Sequence, residues 1–171
     1  NLKVFMGLVF QLILRYSISE KNAANEADAD AQKKTQSLAQ LKQQMIDWVN
    51  EQLSSLSNDE VQSIRQLTST QGDEIKCSNL DSDWSDGAIL TGLTIALHPK
   101  DKRDNGVNKI QERQEQIVNE GNDACFAVIQ STIERSDKNL QVPALMDAND
   151  IKTAPDANSI LTLCTYYKNA Q

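Results

Sequence analysis

The sequence predicts an all-α chain. Apolar residues recur at three- and four-residue spacing in one segment after another, and no stretch alternates strongly between apolar and polar as a half-buried strand would. Only 6 Gly and 3 Pro interrupt the 171 residues. That length suits one ordinary domain with a short extra element. Hydrophobic residues make up 39% and charged residues 24%, so a packed core is within reach. The net charge of -7 argues against a general nucleic-acid binder, which needs a basic face to displace counterions from phosphates.

The opening segment, NLKVFMGLVFQLILRYSIS, is the most apolar in the chain. Its apolar run covers residues 4–14 and contains Gln11, whereas a bilayer span needs roughly twenty apolar residues. No transmembrane helix is expected. A secretion signal fails as well, because Arg15 and Tyr16 stand where small residues should form a cleavage site. With no Met at position 1, the first residues read as internal to a longer chain. As a helix, Leu2, Phe5, Val9, Ile13 and Tyr16 form one stripe, which Val4, Leu8, Leu12 and Ile18 widen. Such a helix has to bury more than one face. Cover is expected either on the rest of this chain or on another copy of it.

Residues 20–37 contain no large apolar side chain and read as a linker, whose Ala content permits helix. In LAQLKQQMIDWVNEQL, Leu38, Leu41, Met45, Trp48, Val49 and Leu53 fall on one side, predicting an amphipathic helix over residues 38–53. Ser57-Asn58-Asp59-Glu60 has the pattern of a helix start, and Val61, Ile64 and Leu67 continue it. Asp86-Gly87 opens the next helix, with Asp86 as its expected N-cap, Trp84 as a core anchor beside it and Ile89, Leu90, Leu93 and Leu97 as the apolar face. His98-Pro99 ends that helix, since the residue before proline is disfavoured in the α region. PKDKRDNG then reads as a polar surface loop. One long helix is expected over residues 107–136, with Ile110, Ile117, Ala124, Val128 and Ile129 inward and Gly121 as its weak point. After a turn around Pro143, Ile160, Leu161, Leu163, Cys164 and Tyr167 mark a last buried helix.

Tests for chemistry return nothing catalytic. Cys77, Cys125 and Cys164 are odd in number, widely spaced and never in a C-x-x-C pair, which favours free, buried thiols in a reducing compartment over disulfides or zinc. The single His98 has no cysteine at ligand spacing, and no phosphate-binding glycine loop or nucleophile elbow occurs. DSDWSDG fails as a calcium loop: counted from Asp81, the positions that require Gly and Glu hold Asp86 and Gly92. No metal, no cofactor and no enzyme activity are expected. A binding or structural module remains.

The order of these blocks resembles the calponin-homology domain. MIDWVNEQL is followed by NLDSDWSDGAILTGLTIALHP, then VPALMDANDI, then PDANSILTLCTYYKNA. Trp48, Trp84, Asp86, Gly87, Leu90, Leu93, Pro143, Asp147, Asp150, Ile151, Ser159, Ile160 and Tyr167 stand at the family's positions. The opening segment is similar to the last helix of a preceding domain of the same family, as in the tandems of filamin and α-actinin, through Asn1-Leu2-Lys3, Gly7-Leu8, Leu12-Ile13-Leu14-Arg15 and Tyr16-Ser17-Ile18. Phe10 replaces the family's common Trp there, and extra length lies around residues 62–75 and in the first half of the long helix.

The resemblance implies a division into residues 1–19, the end of a first domain; residues 20–37, a linker; and residues 38–171, a complete second domain. It further implies an actin-filament-binding role in a cytoplasmic, cytoskeletal cross-linking protein, with phosphoinositide as a further candidate partner. By the family's contact segments, the candidate actin-binding residues are Lys3, Met6, Phe10, Gln11, Leu14, Arg15 and Ser17 in the first helix, and Gln40, Gln43, Gln44, Asp47 and Glu51 in the second. Phe5, Val9, Leu12 and Ile13 are expected to pack inside the first domain instead. A protein–protein interaction module that self-associates through residues 1–19 is the alternative.

Overall fold

The computed structural model describes Phe5, Leu8, Val9, Leu12 and residues 30–170, with the backbone alone over residues 30–37. Among the described residues the fold is all-α, with no strand. Its helices are α1 (Asp30–Leu53), α2 (Asn58–Thr68), α3 (Ala88–Ala96), α4 (Arg103–Asn119), α5 (Ala124–Leu140), α6 (Ala148–Thr153) and α7 (Ala157–Asn169). Short 3₁₀ turns at Ser82–Trp84 and Lys100–Lys102 precede α3 and α4.

The apolar α3 occupies the centre, and each of its residues is buried. A helix hydrophobic on all sides has to be covered on all sides, and α1, α2, α4 and α5 pack against it. Helix α6 lies against α5, and α7 against α1. The core joins Trp48 and Val49 of α1, Ile64 of α2, Leu90 and Leu93 of α3, Ile110 of α4, Ile129 of α5 and Ile160 and Leu161 of α7. Buried Tyr167 shares a 3.0 Å hydroxyl–hydroxyl hydrogen bond with Thr94, which fastens α7 to α3.

The helix start predicted at Ser57 forms, and it is a capping box. The Glu60 amide donates to Ser57 Oγ at 3.2 Å, and the Ser57 amide donates to Glu60 Oε2 at 2.6 Å. Asp147 and Asp156 cap α6 and α7 by side-chain acceptance alone, Asp147 from the Asn149 amide and Asp156 from the Asn158 and Ser159 amides. Met45, Trp48, Val49 and Leu53 are buried as expected, and α3 ends before His98-Pro99.

Four expectations are corrected. Helix α1 begins at Asp30, inside the segment read as a linker. Lacking large apolar residues, that segment has no packing signal, yet Ala, Gln and Lys are strong helix formers that readily extend a helix anchored by tertiary contacts. The single helix over residues 107–136 is two helices. Gly121 at φ +96 breaks it, and Asp123 restarts the chain by accepting the Phe126 amide at 3.0 Å. Ala124, at the first turn of α5, is exposed rather than core. Finally, the N-cap of α3 is Gly87, not Asp86, although Asp86 Oδ1 still accepts the Ala88 amide at 2.8 Å. Gly87 has φ +83, and a Cβ there would lie 2.9 Å from the Ile129 side chain, so left-handed geometry and close helix approach both call for glycine.

PKDKRDNG also departs from a simple surface loop. Arg103, its only Arg, is the first residue of α4 and is buried. Its guanidinium donates to the Ala96 carbonyl at 2.6 Å, the His98 carbonyl at 3.1 Å, the Ser55 carbonyl at 2.9 Å and Ser55 Oγ at 3.2 Å. Glu60 Oε2 lies 4.0 Å away. One side chain thus ties the end of α3 to the junction between α1 and α2.

Candidate functional site

Two surfaces carry the candidate contact residues. On α1, the apolar stripe that enters the core fixes the opposite face outward, and Gln40, Gln43, Gln44, Asp47 and Glu51 are all exposed. Gln43 Nε2 donates to Asp47 Oδ1 at 2.9 Å, one helical turn apart. The face is therefore a row of amides with two carboxylates, which offers many hydrogen-bonding groups and little charge.

Three residues that the sequence reading passed over hold this face in place. Asn50 Nδ2 donates to the Cys77 carbonyl at 2.8 Å, and the Cys77 amide donates to Asn50 Oδ1 at 2.8 Å. This reciprocal pair pins α1 to the loop before α3. Asn is a poor helix-interior residue, so its presence among glutamines was the one available signal. Lys168 of α7 places its ammonium 6.0 Å from the centre of the Trp48 ring, covering the tryptophan's outer side. Arg103 anchors the far end of α1 through Ser55.

The second surface is the opening helix. Phe5, Leu8, Val9 and Leu12 are helical, and spacings of three and four put Phe5, Leu8 and Leu12 on one side. Phe5 is 51% exposed, Leu8 59% and Leu12 45%. The expected cover on the rest of this chain is therefore not found for these three side chains. Only Val9 is half-buried. Lys3, Met6, Phe10, Gln11, Leu14, Arg15 and Ser17 lie outside the described residues.

The residues that carry the family resemblance hold the fold rather than form a site. Trp84, Leu90, Leu93, Ile151, Ile160 and Tyr167 are all buried. The acidic loop is engaged internally as well: Asp83 accepts the Ser78 amide at 2.6 Å, the Asn79 amide at 3.1 Å and Asn79 Nδ2 at 2.9 Å. All three cysteines are free, Cys77 and Cys164 buried and Cys125 half-buried. Burial pushes the Cys77 thiol up to about 11 and raises Cys164 and Cys125 as well, so reactive thiolate is scarce near neutral pH. Among the described residues, no group of His, Cys, Asp and Glu could hold a metal ion, and no helix is long and apolar enough to cross a membrane.

Comparison with known proteins follows the same blocks. The family model of the calponin homology (CH) domain matches residues 39–170. Interaptin of Dictyostelium discoideum is 27% identical over 167 residues, covering 98% of this chain and 8% of the relative. Filamin-C of Rattus norvegicus and of Mus musculus are each 31% identical over 99 residues, covering 58% of this chain and 3% of the relative. The chain thus spans a small part of the curated relatives it matches. No solved structure gives a significant match.

Proposed function

This chain belongs to the calponin-homology family, and on that premise we propose that it binds actin filaments as the second domain of a tandem. The calponin homology domain is a non-catalytic module, so the chain is not an enzyme. The proposal extends to its setting, a cytoplasmic cross-linking protein of the cytoskeleton of the filamin or α-actinin type. Residues 1–19 are the last helix of the domain before it.

The observation that carries the tandem reading is the Phe5, Leu8 and Leu12 stripe, exposed although apolar. A stripe of that kind calls for a partner surface, and the body of a preceding domain supplies one in the arrangement proposed. The exposed amide row of α1 supplies the second contact, beside it in function and polar where a filament surface is polar.

The test of the α1 contact is filament cosedimentation of the tandem with Gln43, Gln44 and Asp47 replaced together by alanine. The expected result is an apparent Kd weakened about tenfold, equivalent to about 1.4 kcal/mol, at an unchanged melting temperature, because all three side chains point to solvent. Unchanged pelleting removes α1 from the contact surface. The same opening stripe supports a second reading, docking on another copy of this chain. A concentration-dependent dimer in light scattering, abolished by Leu8→Asp, favours that reading; a monomer at all concentrations rejects it.

A further inference from the structure

His98 is the only histidine of the chain and lies buried just past the end of α3. In its neutral form Nδ1–H donates to the Thr94 carbonyl at 2.6 Å, which leaves Nε2 as the acceptor nitrogen. That nitrogen is buried with no hydrogen-bond partner. The charged groups that act on the ring come from three neighbouring elements: Arg135 of α5, Arg103 of α4 and Lys102 of the turn before α4. All are cationic. From α7, Tyr167 reaches the same corner through the Thr94 hydroxyl and is neutral. Glu60 of α2 lies 4.0 Å from Arg103, the guanidinium that grips the His98 carbonyl.

We infer that His98 is an acid-sensitive latch, whose protonation opens the corner between α3 and α4 and loosens the hold of Arg103 on the α1–α2 junction. A proton on Nε2 turns an unpaired acceptor into an unpaired, charged donor inside a group of cations, the costliest arrangement for a buried polar group. Relief comes by exposing the ring to water. The ring's backbone carbonyl is one of the acceptors of Arg103, and Ser55, between α1 and α2, supplies two more. Exposure of His98 therefore reaches the footing of α1. The latch does not depend on what α1 binds.

The direction with pH follows from the environment. Burial lowers the imidazole below its ordinary value, the Thr94 carbonyl opposes this, and Arg135, Arg103 and Lys102 lower it further. The open form consequently takes up a proton at a higher pH than the closed form. Closure is fully favoured above the ordinary histidine range and weakens as pH falls through it.

Amide hydrogen exchange of the whole chain, corrected for intrinsic rates, tests this. Between about pH 7.5 and about pH 5.5, protection around residues 54–61 and 96–103 is expected to fall by as much as about tenfold, more than in α5 and α7. In His98→Gln, which carries no titrating ring, that local loss is expected to disappear. A uniform loss over all helices, or the same local loss in His98→Gln, overturns the latch. Should that variant fail to fold, the single histidine ring signal of the unaltered chain decides by NMR. At about pH 6.5, the ordinary midpoint, the ring is expected to be less protonated in the closed state than a free imidazole. Normal titration there, with residues 54–61 still protected, overturns it equally.

Discussion

Replacing Trp84 by alanine is expected to lower the unfolding free energy by about 3–5 kcal/mol, the range for large-to-small changes at buried aromatic sites. The ring is 0% exposed, in the short 3₁₀ turn that leads into α3. Its Nε1–H donates to the Asn79 carbonyl at 3.2 Å, so the indole closes the loop before α3 and fills the core beneath it. Alanine removes both the packing and the donor, and the loop cannot collapse into the space without losing the Asp83 contacts to Ser78 and Asn79. Typical domains have only about 5–15 kcal/mol to lose. Urea unfolding followed by circular dichroism measures the effect. Trp84→Phe keeps most of the apolar volume and is expected to recover more than half of the loss. A cost under about 1 kcal/mol for alanine, the range of surface changes, contradicts the placement of Trp84 in the core.

The second large effect belongs to Arg103. Arg103→Met keeps the apolar stem but removes every donor to Ala96, His98 and Ser55, and is expected to cost about 3–5 kcal/mol, as for removal of one partner from a buried charged network. Arg103→Lys is expected to restore only part of this. A lysine ammonium is a compact point donor and cannot span carbonyls on both sides as the planar fork does. The readout is again the urea midpoint, together with exchange of amides around Ser55. Equal stability of the Lys and Arg forms contradicts the geometry described for this hub, because charge alone would then suffice.

These two residues mark how far the sequence could be read. Trp84 was legible because its neighbours repeat a family pattern, and that pattern consists of side chains whose burial builds the core. Arg103 was not legible. It sits in a run of Lys, Asp and Arg whose composition signals a solvated loop, and only the tertiary approach of Ser55 and Ala96 turns it inward. The same division holds elsewhere. The helix start at Ser57 is a local pattern and forms as read; Gly121 is legible as the weak point of a long helix, and its positive φ makes that weak point a full break. Residues 30–37 show the converse. A segment without apolar residues carries no periodicity, so its Ala content permits helix while nothing in it marks where the helix begins.

For the candidate site, the amphipathic pattern of residues 38–53 suffices to place Gln40, Gln43, Gln44, Asp47 and Glu51 outward, because burial of Trp48 and Val49 fixes the helix's rotation. What holds that face, the Asn50–Cys77 amide pair and Lys168 over Trp48, joins residues far apart in the chain and has no local signature. Phe5 and Leu12 are expected inside a preceding domain, and Leu8 widens the same apolar stripe. In this chain they face outward, so their apolar character answers to a surface that these residues do not themselves provide.

The filament reading meets its most direct test in cosedimentation with actin filaments of two proteins: the tandem, made of this chain with the first domain proposed to precede it, and residues 38–171 alone. The account predicts saturable pelleting of the tandem and weak or no pelleting of residues 38–171. A tandem that stays in the supernatant contradicts it, and pelleting of residues 38–171 as tight as that of the tandem contradicts the part assigned to the opening helix.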